Sequence, residues 1–197
     1  NGNYSKYIIM PTNLIGAAAI IKTLPKSDVY ILDQTNDELR DYPSVHQNFV
    51  KDMYSLLLEG KSKIDLYDKL ILIFPGQKEP LGMVEGFEKF CSDYHFTHQV
   101  VSYFEAKYMQ KGIVFVIPND RQLVEVIEYA KEQNFRLGID YGIISYNDTP
   151  LKKVVENGIT TISTNFKKMG KSLAEMVLTN QKFQLENECQ LIVRKSL

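Results

Sequence analysis

The sequence has only two cysteines among its 197 residues, Cys91 and Cys189, and they lie far apart. Small domains that depend on disulfides carry many more cysteines at short spacings. This scarcity argues against a disulfide framework and indicates a reducing compartment. Cys91 lies in the apolar pattern Phe87–Cys91, which is typical of a small buried hydrophobic residue.

Long apolar runs are also missing. No stretch approaches the ~18 residues that span a bilayer. The start, Asn1–Tyr4, has neither the basic nor the apolar region of a signal peptide. We therefore expect a cytoplasmic protein without a membrane segment. The chain does not begin with Met, so we expect a processed or truncated product.

Neither sign of charge dominates. The chain has 23 Lys and Arg against 24 Asp and Glu, a net charge of −1, and a pI of about 6.4. A domain that binds nucleic-acid backbones is normally basic, with Lys and Arg clustered on one face. The sequence contains no such cluster, so we expect no direct contact with nucleic acid over most of its surface.

The signature motifs of common enzymes are missing as well. The sequence contains no G-x-G-x-x-G, no P-loop, no G-x-S-x-G and no H-E-x-x-H. No pair of carboxylates has a spacing that argues for acid–base chemistry. His46, His95 and His98 have no nearby cluster of Cys or carboxylate ligands. The sequence thus predicts no enzyme, no metal site and no cofactor.

What the sequence does have is a regular alternation of short apolar strands and amphipathic helices. Strands are predicted at Lys6–Pro11, Asp28–Gln34, Lys69–Phe74, Gln99–Tyr103, Ile113–Pro118, Tyr141–Tyr146 and Thr160–Thr164, with one or two more in Phe183–Leu197. Helices are predicted at Leu14–Leu24, Gln47–Gly60, Leu81–Tyr94, Asp120–Asn134, Pro150–Asn157 and Phe166–Thr179. Asp120 is the predicted N-cap of its helix. The alternation predicts an α/β fold of two doubly wound, parallel-sheet lobes, residues 1–96 and 97–197.

Polar side chains follow directly after several of these strands. They are Asp33, Gln34, Asn119, Asn147 and Thr164. In doubly wound sheets the carboxyl ends of the strands form the ligand crevice. Tyr146 adds an aromatic ring beside Asn147. Planar hydrogen-bonding groups together with an aromatic face suit a monosaccharide, so the sequence predicts a small-molecule site from these residues.

Each of these side chains also has a purely structural interpretation. Asp33, Asn119 and Asn147 are of types that are common in turns and at helix starts. Thr164 has ordinary strand propensity, and Tyr146 fits a hydrophobic core. From the residues alone, both interpretations remain open.

Several motifs, taken in order, resemble the sensor domain of LacI-type regulators, which has the periplasmic-binding-protein type I fold. These motifs are Leu32-Asp33-Gln34, Gly86-Phe87, Pro118-Asn119-Asp120, Ser145–Pro150, Thr160–Thr164 and Leu191–Leu197. A narrower resemblance, to sensor domains of GntR-type regulators from Bacteroidetes, depends on Ile143–Leu151, Gly158-Ile159-Thr160 and Phe166–Gly170.

The resemblance implies a domain that binds an effector in a cleft between two lobes and does not transform it. It implies a homodimer that contacts DNA only through a separate N-terminal winged helix-turn-helix, which is absent from this chain. It also implies that the N-terminal lobe is incomplete here, lacking its opening β-α-β-α unit. The Ala- and Ile-rich helix Leu14–Leu24 is a candidate dimer face, or equally an ordinary core helix.

Three positions depart from the family's pattern, and each has lost a charge. The usual ligand Asp is Asn147, an Arg shortly before the G-F motif is Met83, and the Arg of L-D-R is Gln34. Lys78, in the loop after strand Lys69–Phe74, is a candidate replacement for the missing Arg, or a solvated loop residue. A site with little charge favours a neutral monosaccharide over a sugar acid or phosphate.

Two other functions remain open. A secreted solute-binding protein of a sugar transporter has the same fold, and a signal peptide in the full gene would favour it. A small α/β enzyme needs titratable groups with perturbed pKa values in the crevice, and the chain offers few.

Overall fold

The computed structural model describes residues 4–11, 16–76 and 79–197. Their strands are β1 Tyr7–Ile9, β2 Val29–Asp33, β3 Ser44–His46, β4 Lys69–Ile73, β5 Thr97–Val101, β6 Ile113–Ile117, β7 Tyr141–Tyr146, β8 Thr160–Thr164, β9 Gln184–Glu186 and β10 Cys189–Ile192. Their α-helices are α1 Ala17–Ile21, α2 Phe49–Glu59, α3 Lys61–Ile64, α4 Gly82–Asp93, α5 Asp120–Glu132, α6 Pro150–Val154 and α7 Phe166–Leu178. Short 3-10 turns lie at Lys26–Asp28, Asp37–Leu39, Ala106–Tyr108 and Val155–Asn157.

The chain folds into two compact units, each assembled from discontinuous segments. The first unit contains Asn1–Asn48 and Thr164–Cys189, and the second contains Phe49–Ser163 and Gln190–Leu197. The structure thus corrects the predicted boundary between residues 96 and 97. The reason is the strand pairing: β4 is hydrogen-bonded to β5 on one side and to β6 on the other, so all three belong to one sheet.

The first unit has a four-stranded sheet in the order β1-β2-β3-β9, and all of these pairs are parallel. Alternate residues of β2 point to opposite faces, as strand geometry requires. Val29 and Ile31 pack in one apolar cluster with α1, whereas Tyr30 packs in another with Met169 and Leu173 of α7. The sheet is therefore covered on both faces.

The second unit has a six-stranded sheet in the order β10-β8-β7-β6-β4-β5. The pairs β4–β5, β4–β6, β6–β7 and β7–β8 are parallel. Phe115 and Ile143 on one face join an apolar cluster with Leu123 and Val126 of α5. Helices α2 and α4 pack closely at Gly86, where any Cβ would collide with the carbonyl oxygen of Val50.

The α/β fold with parallel sheets is confirmed, and the differences lie at element ends. Strand β5 starts two residues before the predicted Gln99. The predicted helix Gln47–Gly60 begins at Phe49 as α2 and is followed by the separate α3. The predicted helix Leu14–Leu24 is represented by α1, while Leu14 lies outside the described residues.

Two further findings concern the cysteines and the length of the helices. Both cysteines are free thiols, and burial raises the pKa of the Cys91 thiol to about 12, with the negative charge of Glu88 adding to the shift. Across the part of the chain that the structure describes, no helix is both long and apolar enough to cross a membrane.

Candidate functional site

In the first unit, Asp33 ends β2 and lies beside His46 at the end of β3. Its φ of 72° is in the left-handed region, which Asp tolerates better than most side chains. The Gln47 side chain donates a hydrogen bond from Nε2 to Asp33 Oδ1 at 2.5 Å, and the Gln47 backbone N–H donates to the Asp33 carbonyl at 2.9 Å. Gln34 follows, half-buried. Asp33 is therefore fixed by the end of the neighbouring strand.

Thr164, the second candidate in this unit, is buried and fully engaged in local hydrogen bonds. Its hydroxyl accepts from Asn187 Nδ2 at 2.8 Å and donates to the Glu188 carbonyl at 3.3 Å. The backbone N–H of Asn187 donates to the His46 carbonyl at 2.7 Å. Asn187 thus ties the end of β3 to Thr164, and the ligand role of Thr164 remains a prediction.

His46 is a titratable group at this edge, beside Asp33 and Glu186. It is half-buried, its Nδ1 lies 2.9 Å from the Ser44 hydroxyl, and its strand pairs with Glu186 on β9. Burial lowers the pKa of His46, and the negative charge of Glu186 partly opposes that shift. His46 is therefore neutral at physiological pH.

In the second unit, Asn119 follows β6 and caps α5. Its Oδ1 accepts from the backbone N–H groups of Arg121 at 3.0 Å and Gln122 at 3.2 Å. Its Nδ2 donates to Glu79 Oε1 at 3.1 Å. The predicted cap, Asp120, is wrong: the side chain of Asn119 satisfies the free N–H groups of the first turn, and Asp120 is the first helical residue.

Asn147 follows β7 at the same edge of the sheet. Ile117 of β6 pairs with Ser145 of β7, so Asn119 and Asn147 each lie two residues beyond a paired position. Asn147 has a φ of 62°, and its backbone N–H donates to the Ile162 carbonyl at 2.8 Å. Its side-chain Oδ1 is buried, and no donor within the described residues reaches it.

Tyr146 is a core residue by its burial. It is 4% exposed, and its ring lies 6.4 Å from that of Phe49, tilted by 38°. This packing agrees with the structural interpretation of Tyr146 more than with that of an open stacking surface, and its ligand role remains a prediction.

The carboxylate next in the chain, Asp148, is held by an ion pair inside the same unit. Its Oδ1 accepts from Arg194 Nη1 at 2.7 Å and from the Thr161 hydroxyl at 3.3 Å. Burial on its own would raise the pKa of the Asp148 carboxyl, but the hydrogen bond and charge of Arg194 outweigh burial and lower it. Asp148 is therefore ionised and already paired.

Lys152 is the residue at this edge that the sequence did not reveal. It is 3% exposed, and its Nζ donates to the Tyr146 carbonyl at 2.6 Å and the Asn147 carbonyl at 3.2 Å. The same ammonium lies 2.7 Å from Asp120 Oδ1. A lysine in a short polar helix is normally solvated, so no pattern in the chain signals its burial.

The remaining candidates contribute less. Lys78 lies outside the described residues, and Met83, at the position of the family's Arg, is buried in α4. No group of three or more His, Cys, Asp or Glu side chains in the described ranges has the geometry to hold a metal ion.

The predicted residues therefore gather into two groups. Asp33, Gln34 and Thr164 lie in the first unit, where Gln47 holds Asp33 and Asn187 holds Thr164. The second unit brings Asn119, Tyr146 and Asn147 to one sheet edge. Amide and carboxylate groups placed like this can exchange hydrogen bonds with the hydroxyls of a small polar molecule.

Comparisons with known proteins concern the family and the fold of the chain. Residues 69–197, more than half of the chain, match the model of the periplasmic binding protein-like domain. No curated protein matches the chain at a significant level.

Solved structures match nearly the whole chain. The probable maltose operon transcriptional repressor of Staphylococcus aureus is 16% identical, with a TM-score of 0.77, over 98% of this chain and 75% of that one. A dimeric lac repressor with a C-terminal deletion is 16% identical, with a TM-score of 0.77, over 98% of this chain and 77% of that one. A cellobiose complex of the transcriptional regulator CelR is 11% identical, with a TM-score of 0.76, over 99% of this chain and 66% of that one. At these identities the likeness establishes the fold.

Proposed function

Because the chain belongs to the periplasmic binding protein-like domain family, we propose that it is the effector-binding domain of a LacI-type transcriptional regulator and that its effector is a neutral monosaccharide. The observation that carries this proposal is the buried Oδ1 of Asn147, which has no donor in the described part of the chain. A buried acceptor without a partner destabilises a protein by about 1–3 kcal/mol. A ligand hydroxyl would supply the missing donor.

The charges at the same edge support a neutral ligand. Asp148 is paired with Arg194, and Lys152 is paired with Asp120. Since these charges neutralise each other, neither cation is available to balance an acidic or phosphorylated ligand. Hydroxyl groups, which both donate and accept, fit Asn147 without a charge partner.

The solved structures support a sugar. They include a maltose operon repressor, a lac repressor and a cellobiose complex. By analogy, and given the lost charges at Asn147, Met83 and Gln34, a pentose or a deoxyhexose is the first candidate.

The experiment is a binding screen of the full-length protein. Neutral pentoses, hexoses and deoxyhexoses are compared with sugar acids and sugar phosphates by thermal shift, and any hit is measured by calorimetry. An effector at one hundred times its Kd should raise the free energy of unfolding by about 2.7 kcal/mol. Failure of every neutral sugar, or preference for a sugar acid or phosphate, would overturn the proposal.

Variants then locate the site. Asn147→Ala and Asp33→Ala should each weaken binding, while Gln181→Ala, at an exposed position of the first unit, should not. The affinity is measured by calorimetry on protein whose circular dichroism matches the wild type. Unchanged affinity in both site variants would remove these residues from the site.

We extend the proposal to the compartment, the oligomeric state and the DNA contacts of the protein. We place the protein in the cytoplasm as a homodimer whose DNA contacts come from an N-terminal winged helix-turn-helix of the GntR type. Effector binding then shifts an equilibrium between conformations, with a coupling of about 1–3 kcal/mol. Operator affinity of the full-length protein, measured by gel retardation with and without the effector, should change by about 5- to 150-fold.

A further inference from the structure

Lys152 is an unusual residue for its position. It lies in the short helix α6, yet only 3% of its surface is exposed. A buried ammonium is tolerated only when charge and hydrogen bonds compensate for lost hydration. Lys152 has both, because its three donors face two main-chain carbonyls and one carboxylate oxygen.

The two carbonyls belong to the last residue of β7 and to Asn147. Lys152 Nζ is 2.6 Å from the Tyr146 oxygen and 3.2 Å from the Asn147 oxygen. Asn147 has the left-handed φ of 62°, which a non-glycine residue keeps only when its surroundings fix it. The ammonium therefore holds the main chain in the turn that orients the Asn147 side chain.

The carboxylate partner connects this turn to the neighbouring strand end. Asp120 Oδ1 lies 2.7 Å from Lys152 Nζ, and Asp120 directly follows Asn119, the N-cap of α5. One ammonium thus joins the residues after β7 to the start of the helix after β6. In contrast, the side chain of the adjacent Lys153 is 56% exposed, and its ion pair within the described residues is with Asp148, at 3.5 Å.

We propose that Lys152 is a positioning residue of the effector site: it contacts the main chain beneath Asn147 and keeps Asn147 Oδ1 available to a ligand donor. This inference rests on the proposed function for the identity of the ligand. The contacts of Lys152 with the main chain do not depend on that function. Lys152 does not touch the effector. It acts through Asn147, so its influence on binding requires the Asn147 side chain.

The first test needs no ligand. Hydrogen exchange of the full-length protein is followed by mass spectrometry over the peptide that covers 141–150, in Lys152→Met and in the matched control Lys153→Met. Lys152→Met should speed exchange at the turn, including the Asn147 N–H that donates to Ile162, while Lys153→Met leaves it unchanged. Equal exchange in both variants would overturn the inference, whether or not any sugar binds.

The second test is a double-mutant cycle on affinity. Lys152→Met should weaken binding of the sugar found in the screen by about tenfold or more, the loss expected from one buried hydrogen bond. In the Asn147→Ala background, the same substitution should have little further effect on affinity, because the side chain through which Lys152 acts on the ligand has been removed. Additive losses would assign Lys152 a general structural role and refute the positioning role.

A third variant tests the inference even if Lys152→Met does not fold. Asp120→Asn alters the exposed partner, whose side chain is 68% accessible, so the fold should persist while the ammonium loses its anion. It should speed exchange at the turn by less than Lys152→Met and should also weaken binding only when Asn147 is present. If the wild type binds no neutral sugar, the proposed function fails, and the exchange data alone decide the role of Lys152.

Discussion

The candidate ligand residues at the strand ends of the two units differ in their hydrogen bonds. In the first unit, Asp33 is matched by Gln47 and Thr164 by Asn187. In the second unit, Asn147 keeps a buried oxygen without a donor among the described residues, although a buried ammonium fixes its main chain. The candidate residues Asp33 and Thr164 thus have partners inside their own unit, whereas the candidate Asn147 keeps an open acceptor. Two other buried oxygens of the first unit, Thr35 Oγ1 and Asn187 Oδ1, also lack a hydrogen-bond partner among the described residues.

The difference teaches that position after a parallel strand does not by itself identify a ligand residue. A side chain whose hydrogen bonds are all made inside its own unit contributes to stability. A side chain that is held in place but keeps an unpaired acceptor, as Asn147 does, remains open to a ligand donor. Substitutions should separate these two roles, since replacing the first kind should lower the free energy of unfolding and replacing the second kind should not.

The largest expected loss of stability comes from Asp148. Asp148→Asn removes the anion that Arg194 and Thr161 contact and should lower the free energy of unfolding by about 1.5–3 kcal/mol at pH 7. The measurement is urea denaturation. The control is Asp41→Asn, because Asp41 is 73% exposed and its nearest cation is 3.7 Å away.

The same variant carries a pH prediction. The pKa of the Asp148 carboxyl is lowered in the folded protein, so its stabilisation is present above the unfolded pKa of roughly 3.9. That stabilisation is lost as the pH falls through the lowered folded value. The difference between wild type and Asp148→Asn should therefore shrink below about pH 4, and a constant difference would contradict the ion pair.

The next largest loss of stability is expected at Asn187. Asn187→Ala deletes the donor that reaches Thr164 and the carbonyl of Asn165 at 3.1 Å, leaving buried acceptors without partners. We expect a loss of about 1–2 kcal/mol in unfolding free energy, compared by urea denaturation with the exposed Gln181→Ala. Effector affinity of the folded variant should stay the same. A loss of affinity without a loss of stability would show that Asn187 serves binding and not packing.

Thr164→Val should lower the free energy of unfolding by about 1 kcal/mol. The methyl group has a shape similar to that of the hydroxyl but cannot form its hydrogen bonds with Asn187 and Glu188. Thr97→Val, at an exposed position on β5, should cost nothing measurable. Thermal denaturation of both variants checks this. If Thr164→Val instead abolishes sugar binding at unchanged stability, Thr164 belongs with Asn147.

The smallest loss of stability belongs to Asn147. Asn147→Gly keeps a residue that adopts the φ of 62° without strain and removes a buried acceptor that has no donor among the described residues. The free energy of unfolding should therefore not fall, and loss of the unpaired acceptor should raise it. The affinity of the same protein for its sugar should fall sharply. A large loss of stability would show that the side-chain amide is a structural group.

Much of the secondary structure could be predicted because it is encoded locally. The continuous apolar runs of β6 and β7 are buried throughout, and their ends were predicted to within one residue. The division into units could not be predicted from local patterns, because it depends on Thr164–Cys189 returning to the first sheet and on β4 pairing with β5.

The candidate site was only partly visible for a similar reason. Asn119 and Asn147 were visible as polar residues after apolar strands, and the structure places them at one edge. Lys152 was not visible, because its burial arises from contacts with β7 and α5 that no local pattern records. The separate roles of Asp33 and Asn147 were not visible either. Asp33 is bound by Gln47, 14 residues away, whereas Asn147 Oδ1 has no donor among the described residues.

The interleaved construction of the two units has a consequence for synthesis on the ribosome. The last described segment returns to the second unit, where the buried Ser196 hydroxyl donates to the Ile143 carbonyl and accepts from the Thr160 N–H, both at 2.7 Å. Residue 196 must leave the exit tunnel before that half of the protein can finish its sheet. A nascent polypeptide halted near residue 160 would therefore expose apolar strands to chaperones and proteases, and completion of the sheet must await the synthesis of residue 196.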